Sequence, residues 1–229
     1  MEFKNRSQAK KQAGVSYLGS INSSAKIKKN GKVSNNYTYV LYLAPHNTSG
    51  YPVCPYSTPE CRKGCLYASG RVKIEQNSGK HTIENARIKK TCLFFEQKDF
   101  FMQWIIAEMK AYKAKAERDG YAFSVRLNGT SDIQWEDKYF DGKNLMQHFP
   151  DVQFYDYTKN PERILTETMP ENYHLTFSYT GRNYKSTMKV LEHGKNVAVV
   201  FDTANLPEYW NGYKVINGDL TDYRPLDGN

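Results

Sequence analysis

Hydrophobic and polar residues follow two rhythms along this chain. Over residues 82–118 the apolar side chains Ile83, Ala86, Ile88, Leu93, Phe94, Phe101, Trp104, Ile105, Met109 and Tyr112 recur at helical spacing. Asp99 is placed to start a second helix inside that stretch and Gly120 to close it, so two helices are expected rather than one rod. Elsewhere the rhythm is that of strands. Residues 37–43, 121–127, 152–157, 173–179, 197–202 and 214–217 read as strands, and 143–149, 161–168 and 186–193 as short helices between the later ones. Pro161 suits a first helical turn, and Gly194 ends the helix before it.

Strands that alternate with helices or long connections have the rhythm of parallel βα units. The fold class expected is α/β, a partial parallel (β/α)6 barrel over residues 34–229, preceded by a basic β-hairpin arm over 1–33. In that arm residues 1–15 show no periodicity and read as a loose segment. Residues 15–18 read as a strand, and Asn30-Gly31 supplies the turn of a tight hairpin. Later strands end in polar residues, including Asn128, Asp132, Asp156, Ser178 and Asp202, and ligands of parallel α/β folds bind at such carboxyl ends.

Composition narrows the setting. The chain has 229 residues, enough for one domain with a substantial core, and no internal repeat. No window approaches the roughly 18–20 apolar residues of a membrane span, and the first residues lack a secretory apolar run, so a cytoplasmic protein is expected. Lys and Arg number 32 against 24 Asp and Glu, a formal charge of +8. Much of the excess lies early, at Lys4, Arg6, Lys10, Lys11, Lys26, Lys28, Lys29 and Lys32, where a solvated face and a nucleic-acid surface are both open readings. Tyrosines at alternating positions such as Tyr37 and Tyr39 read as strand formers. No Walker loop, Gly-x-Ser-x-Gly elbow or His-Glu-x-x-His pair is present, which argues against the commoner hydrolases.

The chemistry concentrates in residues 44–70, a loop bent by Pro45, Pro52, Pro55 and Pro59. It carries Cys54, Cys61 and Cys65 in a Cys-x6-Cys-x3-Cys pattern. Clustered thiols in a reducing compartment point to metal or redox work rather than to disulfides. The soft ligand set suits an iron-sulfur cluster or zinc, with unmetallated thiols the third reading. His46, His81 and Cys92 are the nearby candidates for a fourth zinc ligand, although Cys92 sits in an apolar helical run and reads as a packed residue. Arg126, inside a strand, needs a partner if it points inward, and with Asp132 it is the leading polar site candidate. Loop capping is the competing account of Asn128, Asp132, Asp156, Ser178 and Asp202. His174 reads as a packed strand histidine, and Ser69-Gly70-Arg71 as a turn or an anion-holding segment.

A strand, a three-cysteine loop and then further βα units resemble the partial barrel of radical S-adenosylmethionine enzymes. That resemblance implies a 4Fe-4S cluster held by Cys54, Cys61 and Cys65, with S-adenosylmethionine at its open iron. Arg126, Asn128, Asp132, Asp156, Ser178 and Asp202 would then line the cofactor and substrate pocket. The chain also resembles a family of bacteriophages and mobile elements, gene product 88. The runs that carry this likeness are Leu43-Ala-Pro-His-Asn, Cys54-Pro-Tyr-Ser-Thr-Pro-Glu-Cys61, Gly64-Cys65-Leu, Ser69-Gly70-Arg71, Arg126-Leu-Asn-Gly-Thr-Ser-Asp-Ile133, Phe154-Tyr-Asp-Tyr-Thr-Lys159 and Val197-Ala-Val-Val-Phe201. It implies a phage-encoded protein of the host cytoplasm and assigns no activity. The alternative function is a phage accessory protein that binds nucleic acid or a host protein, its cysteines holding structural zinc.

Overall fold

The computed structural model describes residues 3–21, 27, 33–65 and 70–227. Its centre is a six-stranded sheet in sequence order, formed by β1 (Gly19–Ser20), β2 (Asn36–Leu41), β3 (Ala122–Arg126), β4 (Gln153–Thr158), β5 (Tyr173–Ser178) and β6 (Val197–Ala198). β1 pairs antiparallel with β2, and every later neighbouring pair is parallel. The protein is therefore a mixed α/β fold with a mostly parallel sheet. β1 and β6 are its two edges, with no pairing between them among the described residues.

Parallel neighbours in sequence order need crossovers of one sense, and the right-handed rule places those connections on one face. They carry α4 (Thr82–Glu96) and α5 (Lys98–Arg118) between β2 and β3, α6 (Leu145–His148) before β4, α7 (Pro161–Leu165) before β5 and α8 (Tyr184–Glu192) before β6. Alternation along the strands sorts side chains accordingly. Tyr39, Leu41, Phe123, Val125, Leu127, Phe154, Leu175 and Phe177 join Phe101, Trp104, Ile105 and Met109 of α5 in one buried core. The opposite parity is polar. Asn36, Thr38, Ser124, Arg126, Tyr155, Tyr157, His174, Thr176 and Ser178 occupy it, tied by a Thr38 Oγ1–Ser124 Oγ contact of 3.0 Å and by Ser124 donating to Asn36 Oδ1 at 2.8 Å.

The N-terminal region departs from the loose arm expected. Residues Arg6–Ala13 form α1, because Asn5 accepts from the Gln8 N–H at one end and Gly14 adopts φ 64° at the other. Ala9 of α1 is fully buried and Phe3 packs edge-on against Phe100 at 5.4 Å, so this helix shares the main core. The strand expected at 15–18 lies at Gly19–Ser20 instead. A buried carboxylate places it: Glu108 of α5 accepts the N–H groups of Leu18 and Gly19 and the Tyr39 hydroxyl, while Lys90 Nζ donates to the Leu18 carbonyl. The Asn30-Gly31 turn lies outside the described residues.

Two other expectations are corrected. Residues 44–70 are not structureless throughout: α2 (Pro59–Lys63) starts on the Thr58 cap, and α3 (Gly70–Asn77) begins where a turn at Ser69-Gly70-Arg71 was expected, Ser69 itself lying outside the described residues. The strand expected at 214–217 as the last parallel member is instead half of a separate antiparallel hairpin, β7 (Tyr209–Trp210) with β8 (Tyr213–Lys214). Asn211 and Gly212 at φ 49° and 83° make its turn, the positive-φ pair that two-residue hairpins require. β6 is also shorter than the 197–202 strand expected.

Candidate functional site

The polar face of the sheet opens into a cleft of about 2080 Å³ at the carboxyl ends of the strands. Small-molecule sites usually occupy about 300–1,000 Å³, so this one has room for a cofactor and a second ligand together. Cys54, Cys61, Cys65, Arg126, Asn128, Asp132 and Ser178 all line it, although they come from loops and strands as far apart as residues 54 and 178.

The cysteines reach the cleft by separate local devices. Cys54 follows a turn in which His46 takes φ 51° and accepts the Val53 N–H at 3.1 Å. Its sulfur accepts the His46 N–H at 3.5 Å and donates toward the Thr130 carbonyl at 3.8 Å, which joins the cysteine loop to the loop after β3. Cys61 lies in α2, where the Thr58 hydroxyl accepts its N–H and Pro59 occupies the first turn. Cys65 lies just past the end of that helix. All four cysteines are free thiols and half-buried. Burial pushes the Cys54 thiol up to about 11, so it is neutral near pH 7. Among the described residues no group of three or more His, Cys, Asp or Glu side chains is arranged to hold a metal ion. The three cysteines line one cleft without converging into such a group.

The candidates for a fourth zinc ligand are elsewhere. Cys92 donates to the Ser49 carbonyl from α4, and His81 pairs with Glu84 at 2.8 Å; neither lines the cleft, and nor does His46.

Asn128 is the organiser of the loop after β3. Its carbonyl oxygen accepts from Ser131 Oγ, the Ile133 N–H and the Trp135 indole, and its amide donates to the Ile133 carbonyl. Those bonds occupy the amide, so the loop-capping account holds for its side chain. Gly129 lets the same loop pass under β2, since a Cβ there would sit 2.7 Å from the Leu41 carbonyl. Asp132 accepts the Lys159 N–H at 3.0 Å and Arg163 Nη1 at 3.1 Å while facing the cleft.

Two candidates fall outside the cleft. Asp202 is exposed and does not line it, although its neighbours Phe201 and Thr203 do. Asp156 shares the parity of Phe154, so it faces the helices and is fully buried. It accepts the Leu127 and Asn128 N–H groups at 3.2 and 2.9 Å and the Tyr173 hydroxyl at 2.9 Å. Burial outweighs these bonds and raises its pKa to about 6. A carboxyl whose native pKa lies above its unfolded value binds more protons in the native state, so its contribution falls as pH rises from about 4 to about 6. In urea unfolding at pH 4.5 and 7, the stability difference between the wild type and Asp156→Asn is therefore expected to shift against the wild type at the higher pH. A pH-independent difference would remove Asp156 as the titrating group.

Sequence reasoning passed over Tyr157, Thr176 and Arg224, which also line the cleft. The signal was present for the first two. Tyr155 and Tyr157 on β4, and His174, Thr176 and Ser178 on β5, are polar at alternate positions opposite Phe154 and Leu175. Arg224 arrives from a 3-10 turn, Arg224–Leu226, that no local pattern marks.

A family model described as Gene product 88 matches residues 4–229. No curated protein and no solved structure matches the chain. No helix among the described residues is long and apolar enough to cross a membrane.

Proposed function

The chain belongs to the phage gene product 88 family, and on that premise we propose that it is an iron-sulfur protein of the host cytoplasm, similar in plan to radical S-adenosylmethionine enzymes. The observation that carries the reading is the sharing of one cleft by Cys54, Cys61 and Cys65 with the polar carboxyl ends of β3 and β5. In this reading the sheet is the wall of a partial (β/α) barrel, and its polar face is the barrel interior.

Cys54, Cys61 and Cys65 would hold the cluster, and Asp132 and Ser178 stand where they can accept and donate hydrogen bonds to an amine, carboxylate or ribose. When bound, a 4Fe-4S cluster with one open iron supplies an electron to a sulfonium cofactor. Val40, Val199 and Phe201 add apolar surface to the lining of the cleft. Three thiols leave one iron of a 4Fe-4S cluster open, whereas structural zinc would need a fourth protein ligand beside them.

Protein purified without oxygen is expected to contain about four irons and four acid-labile sulfides per chain. Cys54→Ala, Cys61→Ala and Cys65→Ala should each abolish that loading, while Cys92→Ala leaves it intact. One zinc and no sulfide would sink the iron-sulfur reading and favour the accessory protein with a metal staple. Retention of iron in any of the first three variants would remove that residue from the ligand set.

A further inference from the structure

On the polar face of the sheet the cleft holds hydrogen-bonding groups without a partner among the described residues. Arg126 on β3 lies over the Tyr155 ring at 5.7 Å and the Tyr157 ring at 5.3 Å. Its Nε is buried without a hydrogen-bond partner, and its guanidinium makes no ion pair among the described residues. Thr176 on β5 is only 3% exposed, lines the cleft, and its hydroxyl is likewise unpartnered. β4 lies between these two strands, with Tyr157 directly opposite Thr176 in the register. Arg224, also buried and also lining the cleft, leaves its own Nε without a partner while Nη2 is held by the Gly218 and Thr221 carbonyls and Nη1 by Asp227 at 3.0 Å. Burial raises the Tyr157 phenol, a shift that Arg224 and Arg126 oppose and that Asp222 and Asp227 reinforce, so charges of both signs surround this ring.

An unpartnered hydroxyl and guanidinium nitrogen facing a cleft are satisfied by water or by a ligand, and a ligand with several acceptors can meet both at once. Asp227 pairs with Arg224, whereas Arg126 feels the Asp156 carboxylate only at a distance and makes no ion pair among the described residues. A guanidinium fork and a hydroxyl match an oxyanion, and a tetrahedral one offers acceptors to donors arriving from separate strands.

We propose that Arg126, Thr176 and Arg224 form a subsite for a phosphate group, so that the substrate of this cleft is a phosphorylated molecule bound phosphate-down beneath the cysteine-lined mouth. The subsite rests on the reading of the cleft as a ligand site and requires no metal.

The test is a calorimetric titration of the full chain with inorganic phosphate, with sodium acetate and sodium chloride at matched ionic strength as controls. Saturable phosphate binding is expected, weakened at least about tenfold in Arg126→Gln and measurably in Thr176→Val, a substitution close in shape. Circular dichroism of each variant confirms that it is folded. Equal phosphate binding by wild type and Arg126→Gln, or acetate binding as tight as phosphate, would overturn the proposal. Phosphate binding and iron loading are read separately, so failure of one leaves the other standing.

Discussion

Arg163→Ala is expected to destabilise the protein by about 3–5 kcal/mol, among the largest single losses available to it. Arg163 is 2% exposed, and four of its five N–H donors are engaged. Nε and Nη2 form a fork on the Glu136 carboxylate at 2.6 and 2.8 Å, Nη1 reaches Asp132 at 3.1 Å, and Nη2 also donates to the Tyr173 hydroxyl at 2.8 Å. Alanine would leave two carboxylates, 12% and 11% exposed, without a countercharge. Lysine restores the charge but not the fork, so Arg163→Lys should recover only part of the loss. Urea unfolding measures both. A midpoint for Arg163→Ala within about 1 kcal/mol of the wild type, the scale of an exposed ion pair, would show that the network is not holding the loop. Because Asp132 is one of its members, the same variant should also loosen the loop that runs beside Cys54.

A loss of about 3–5 kcal/mol is likewise expected for Trp135→Ala, the usual range for emptying a buried aromatic site. Trp135 is fully buried, with Phe94 at 4.9 Å and Phe101 stacked at 6.3 Å, and its indole N–H donates to Asn128 Oδ1 at 3.2 Å. It thus couples α4 and α5 to the loop that lines the cleft. Trp135→Phe keeps most of the packing and gives up one hydrogen bond, so it should cost less than the alanine variant, by a difference of about 2 kcal/mol or more. Thermal unfolding of the pair distinguishes the two contributions. Equal losses for Phe and Ala would assign the effect to the hydrogen bond alone.

Much of the framework was legible because it rests on short-range spacing. The apolar repeat of residues 82–118 and the break near Asp99 correspond to α4 and α5, and alternation with turn residues located β2 to β5 to within a residue or two. The signal failed where it was weak or overlooked. Asn5 and Gly14 bracket α1, but its surface is so polar that no apolar stripe marks the helix. Asn211-Gly212 is a hairpin signature within a segment otherwise read as leading to one more parallel strand.

The sequence by itself determined the central helices and the strands β2 to β5, the cysteine pattern, and the polar endings of the strands. Only the tertiary structure decided which of those polar residues face the cleft. Asp156 and Tyr157 are neighbours in the chain, yet one is buried toward the helices and the other lines the cavity beside Arg126. Alternation states that they point to opposite faces but not which face is covered. That choice depends on the register of β3, β4 and β5 and on the helices packed against one side, contacts between residues dozens of positions apart. The placing of Arg224 and Arg126 in one cleft, and the joining of Arg163 to Asp132 and Glu136, are of the same kind. A buried charge is stable only where such distant partners converge, and no local pattern contains that information.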